Sequence, residues 1–185
     1  VIPRIGSSAG RGYSFNKPLF PDYRQFFKDL HGLGLAITLN LHPANGIGFF
    51  EDQYLACCQD LGIDPKEKKS IPFNVLDPKL LKDYETNILH PYEKDGVDFW
   101  WYDWQQGSQS SLPGLNMLWA LNHTLYRDRA SQTDQPLILS RNCGLGGQRY
   151  PIGFSGDTLP DVCHACLSDQ DDLDGFQYRL PLLEP

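Results

Sequence analysis

No run of about 20 apolar residues occurs in this 185-residue chain, so nothing in it reads as a membrane span. Positive charge is also scarce. Lys and Arg number 16 against 23 Asp and Glu, and no Lys/Arg cluster relieves the formal charge of -7, which argues against a general nucleic-acid surface. The five cysteines, Cys57, Cys58, Cys143, Cys163 and Cys166, are odd in number and lack the spacing of a disulfide framework. No signal-peptide pattern is present. The chain starts Val-Ile-Pro rather than with Met, which suggests a piece of something longer. What it does have is a hydrophobic fraction of 41% with 12% aromatics, enough to bury a core and too apolar for a disordered chain. The length suits one domain or part of one.

Strand-like and helix-like patterns alternate along the chain. Pro21-Asp22 opens a helix with Asp22 as N-cap; Phe26, Phe27, Leu30 and Leu33 form its stripe, and Gly32 and Gly34 end it. Residues 35–41 follow as a nearly continuous apolar strand, of the kind buried on both faces in a parallel sheet. Residues 51–61 read as a modest helix carrying Tyr54, Leu55 and Cys58. Asp77-Pro78 starts another helix, expected to stop at Pro91. A strand over 97–103, a helix over about 113–129, a strand over 137–140 and a short strand over 150–155 complete the order. Strands alternating with helices imply parallel βα units. The fold expected is α/β, an incomplete part of a (β/α)8 TIM barrel, because only four strands can be counted. Residues 1–158 are assigned to this partial barrel. Residues 159–185 carry many Asp and no period, and are expected to form a poorly ordered tail.

Polar residues gather where the strands end: Asn40 and His42, Asp103, Arg141 and Asp157. Asp103 closes the aromatic run Phe99-Trp-Trp-Tyr-Asp103. Alternation puts it on one face with Phe99 and Trp101, and leaves Trp100 on the other, beneath helices. A carboxylate walled by Trp101 and Trp104 suits a sugar site, since aromatic faces stack on sugars and exclude water. It equally suits a turn or helix cap. Asp103 and Asp157 together meet the need of glycoside hydrolysis for two carboxylates. The acid must be kept protonated, which Phe154 and the other carboxylate could do. Arg141, between the two, would bind sugar hydroxyls, orient a carboxylate or simply form an ion pair with a neighbouring Asp. His42, before Pro43, would bond backbone or substrate.

Other signals are weaker. The loop Gly144-Leu-Gly-Gly147 is not followed by Lys-Ser/Thr, so an α/β nucleotide-binding module is disfavoured and a flexible loop expected. Cys163-His-Ala-Cys166 has no second Cys/His pair placed to complete a zinc site, so no metal and no cofactor are expected.

Four pieces resemble the family 31 glycoside hydrolases (α-glucosidases, α-xylosidases and relatives) in the right order: Leu19-Phe-Pro-Asp22 through Leu35, Leu39-Asn-Leu-His-Pro43, Trp101-Tyr-Asp-Trp104, and Arg141 through Arg149-Tyr-Pro-Ile-Gly-Phe-Ser-Gly-Asp157. The resemblance implies a retaining (β/α)8 barrel acting on a carbohydrate, with Asp103 as nucleophile and Asp157 as general acid/base. Arg141, Trp101, Trp104, Phe154 and His42 would contact the sugar. Phe154 stands where the family more often has Trp, and Gln105-Gln106 where many members have Asn-Glu, which marks a divergent subgroup. Residues 159–185 do not resemble the family's continuation, and its early strand with a sugar-binding Asp is not seen. The competing expectation is therefore an inactive remnant, at most carbohydrate-binding.

Overall fold

The computed structural model describes residues 12–103, 112–141 and 144–154. Four parallel strands form one sheet in chain order: β1 (Thr38–Leu41), β2 (Phe99–Tyr102), β3 (Ile138–Arg141) and β4 (Gly153–Phe154). The register pairs Asn40 with Trp101, Trp101 with Leu139, and Arg141 with Phe154. Parallel strands need crossovers, and helices supply them. Helix α1 (Tyr23–Gly32) precedes β1. Helices α2 (Tyr54–Leu61), α3 (Pro78–Asp83) and α4 (His90–Asp95) lie between β1 and β2, and α5 (Met117–Gln132) lies between β2 and β3.

The faces of the sheet differ as strand alternation requires. Leu39, Leu41, Trp100, Tyr102 and Ile138 are at most 1% exposed. Asn40, Phe99, Trp101, Leu139 and Arg141, on the other face, are only half-buried. Trp100 lies beneath the helices, as expected, and its Nε1 donates to the Glu93 carboxylate at 2.7 Å.

Helix starts follow their caps. The Asp22 carboxylate accepts from Gln25 N–H, Asp77 from Lys79 and Leu80, and Asn116 from Leu118 and Trp119. The Asn116 cap sets the start of α5 at Met117, later than the expected 113. Helix α1 ends in a left-handed Gly34 (φ 73°), with Leu35 N–H bonded back to the Leu30 carbonyl. That exit consumes the residues before Thr38, so β1 is shorter than the expected 35–41. It also leaves Leu33 74% exposed, off the buried stripe; Leu55 on α2, at 68%, is likewise outside the core.

Pro91 does not stop its helix. A wide π-helical turn (Tyr84–Leu89) joins α3 to α4, and Pro91 falls in the first turn of α4. The wide turn, in which His90 N–H reaches back five residues to the Glu85 carbonyl, is what lets the helix continue past the proline. Of the expected strand 150–155, Gly153–Phe154 are strand among the described residues and Ser155 lies outside them; Gly147–Arg149 form a short 3-10 turn and Tyr150 packs into the core at 4% exposure. Residues 159–185, expected to be a tail, lie outside the described residues.

Candidate active site

Three adjacent strand ends meet around Asp103. Its N–H donates to the Leu41 carbonyl at 3.3 Å, which carries the β1–β2 ladder one residue past β2 and fixes the carboxylate's position. Asp103 is only 8% exposed. From β3, Arg141 Nε and Nη2 both lie 2.9 Å from Asp103 Oδ1. From β1, Asn40 Nδ2 donates to Oδ2 at a long 3.4 Å, and His42 Nε2 stands 3.8 Å from the same oxygen, beyond hydrogen-bond reach. Among the described residues, one carboxylate oxygen is thus gripped by a guanidinium, and the other has the looser contacts.

The supports of these groups are themselves ordered. The fully buried Asn122 of α5 donates from Nδ2 to the Arg141 carbonyl at 3.4 Å, tying the end of β3 to the helix behind it. His42 leads into a tight turn (Pro43–Asn45) that ends at Gly46, with φ 67°. A Cβ at Gly46 would run into the backbone carbonyl of Ile71, and backbone cannot swing aside. Gly46→Ala should therefore destabilise the fold by about 2 kcal/mol or more and displace His42. Urea unfolding measures the first effect, and a shift of the His42 imidazole resonances without loss of secondary structure reports the second.

Asp103, Arg141, His42 and Trp101 come together at one end of one sheet face. Arg141 makes the ion pair that was one of its expected roles, and in doing so orients the carboxylate. Phe154 contributes the backbone of β4 beside Arg141. Trp104 and Asp157 lie outside the described residues. Two participants had been given no role from sequence. Asn40 was noted only as polar at a strand end. Nor does the sequence assign a role to Asn122, although an amide among Leu121 and Leu125 is itself a sign of a buried bonding duty.

Two comparisons bear on this arrangement. The family model of the Glycosyl hydrolases family 31 TIM-barrel domain matches residues 5–168. A search of curated proteins returned no match.

Proposed function

This chain belongs to glycosyl hydrolase family 31, and on that premise we propose that it carries the nucleophile half of a retaining α-glycosidase site, acting on α-glucosides or related α-linked sugars. The fold reading that goes with it is part of a closed (β/α)8 barrel, of which the sheet supplies four neighbouring parallel strands. The observation carrying the proposal is the nearly buried Asp103 at the C-terminal end of β2, with Oδ1 held by Arg141 and Oδ2 turned toward Asn40 and His42. A nucleophilic carboxylate must be fixed in direction and shielded from water, and these contacts support both.

In the proposed reaction an Asp103 oxygen attacks the anomeric carbon opposite the leaving group. Asp157, as the carboxylic acid, gives its proton to the glycosidic oxygen as the carbon–oxygen bond breaks. The resulting glycosyl ester on Asp103 is then attacked by water, whose proton passes to the Asp157 carboxylate, releasing sugar with retained configuration. Trp101 and Trp104 would wall the ring, and Phe154 and His42 would contact it. An activated fluorosugar that accumulates the ester tests this: the label should map to Asp103, and a label on another carboxylate would overturn the assignment.

Asp157→Ala should slow substrates with poor leaving groups far more than activated aryl glycosides, by about 10²-fold or more against little change. Equal losses on both would remove Asp157 from the acid role. The pair should stand about 5–5.5 Å apart.

A second reading, an inactive piece that at most binds carbohydrate, is supported by the sheet itself. Among the described residues, β1 and β4 are edges without partners on their outer sides, and a barrel site needs closure to hold its groups in register. The assay is turnover of an aryl α-glucoside and an aryl α-xyloside by residues 1–185, with a thermal melt alongside. Sugar binding without labelling or turnover favours this reading, and a cooperative melt with turnover dependent on Asp103 eliminates it.

A further inference from the structure

The other face of β2 carries a second cluster. Strand alternation turns Trp100 and Tyr102 away from Asp103 and toward α4 and α5. There His90 and Glu93, three apart on α4 and so on one side of it, meet Asp128 of α5. His90 Nε2 lies 3.1 Å from both Asp128 oxygens. One donor atom from each of His90, Glu93 and Asp128 can be chosen so that all three lie within 4.8 Å of one another. We infer that these three side chains form a binding site for one divalent transition-metal ion, with Zn2+ the best match to the donor set.

The chemistry selects the ion. An imidazole nitrogen with two carboxylates suits zinc and its neighbours, whereas calcium and magnesium take oxygen ligands. Zinc bonds of about 2.0–2.2 Å bring tetrahedral donors to roughly 3.5 Å apart. The His90–Asp128 pair is already that close, and Glu93 needs only a modest shift. The Gln132 amide lies 3.2 Å from His90 Nε2 and 2.9 Å from Asp128 Oδ2. Turned over, it presents its oxygen as a fourth ligand.

Two observations outside the three-residue geometry point to a missing partner. The Glu93 side chain is 7% exposed, and while Oε1 is held by Trp100 Nε1 and by Arg129 at 3.1 Å, Oε2 has no partner. The Tyr102 hydroxyl is completely buried and also without a partner. Burial first, and then the Glu93 and Asp128 carboxylates, push that hydroxyl well above its ordinary pKa. The charge count agrees. Glu85, Glu93 and Asp128 gather here, and burial, then Asp128, pushes the Glu85 carboxyl up. Against them stand Arg129 and, at the rim, the 72% exposed Lys82. Arg129 lowers the affinity by its charge but occupies Oε1, leaving Oε2 for the ion. The site is a brace, clamping α4 to α5 behind β2.

The test uses the whole chain, stripped with a chelator and titrated with Co2+ and Zn2+. One ion per chain should bind, raise the Tm and give the visible bands of a nitrogen–oxygen site without a thiolate charge-transfer band. His90→Gln and Asp128→Asn should each weaken uptake by about tenfold or more. No uptake, a thiolate band from Cys57 or Cys58, or equal uptake by both variants would overturn the site. If the variants do not fold, acylation of His90 by diethyl pyrocarbonate in the unaltered chain decides: protection by Zn2+ supports the site and undiminished labelling refutes it. None of these readouts depends on glycosidase activity.

Discussion

Asp103→Asn should lower kcat/KM for an aryl α-glucoside by at least about a thousandfold, close to 4 kcal/mol of transition-state stabilisation. Asn has nearly the same shape and can still take hydrogen bonds from Arg141. What it lacks is the negative charge and the ability to form and release a glycosyl ester. The loss should fall on kcat more than on KM, because in the proposed reaction the ester forms only after the sugar is bound. Circular dichroism should show the fold intact. A smaller variant, Asp103→Ala, makes room for an added anion. Azide should then attack the anomeric carbon from the vacated side and yield a β-glycosyl azide, a product that a merely structural Asp103 could not produce. Substantial turnover by Asp103→Asn, or azide without effect, would end the nucleophile assignment.

The second large effect concerns stability. The Asp103 and Arg141 side chains are 11% and 18% exposed and 2.9 Å apart. Removing one partner of such a pair leaves the other charge with little water and without the contact that offset its burial, which costs about 3 kcal/mol. Arg141→Met should therefore unfold at markedly lower urea concentration. Adding Asp103→Asn to it removes the stranded carboxylate and should recover part of the loss, so the double variant should be more stable than Arg141→Met alone. The double-mutant cycle measures this coupling directly. Strictly additive losses would mean that the two side chains are not coupled in stability. Arg141→Lys should restore charge but not the forked grip on one oxygen, and so should recover stability better than kcat.

Much of this arrangement was legible in the sequence for a physical reason. A carboxylate immediately after Phe-Trp-Trp-Tyr is badly placed for a core and well placed for a site, and parallel strands bring their C-terminal ends to one edge. The helix starts were legible because Asp22 and Asp77 cap by local bonds that need no tertiary partner. What failed depended on something non-local. Leu33 fits a helical stripe, but the left-handed exit at Gly34 turns it to solvent. Pro91 normally breaks a helix, yet the wide turn before it renews the helix one residue earlier, and no residue from Tyr84 to Leu89 announces that turn. Asn122 was hidden among leucines because its partner, the Arg141 carbonyl, is 19 positions away. The His90, Glu93 and Asp128 cluster was invisible for the same reason. Its third member comes from another helix, so no spacing rule could find it.

The strands stand side by side in the order in which they are synthesised. Each one finds its pairing edge already made by the strand before it, and none waits for a later strand to be inserted between two others. Among the described strands, assembly can thus follow the emerging chain one βα unit at a time. The same order leaves β2 and β3 flanked on both sides while β1 and β4 have one described neighbour each. Amide protons should accordingly exchange slowest at Trp101 and Leu139, and faster toward Thr38 and Phe154.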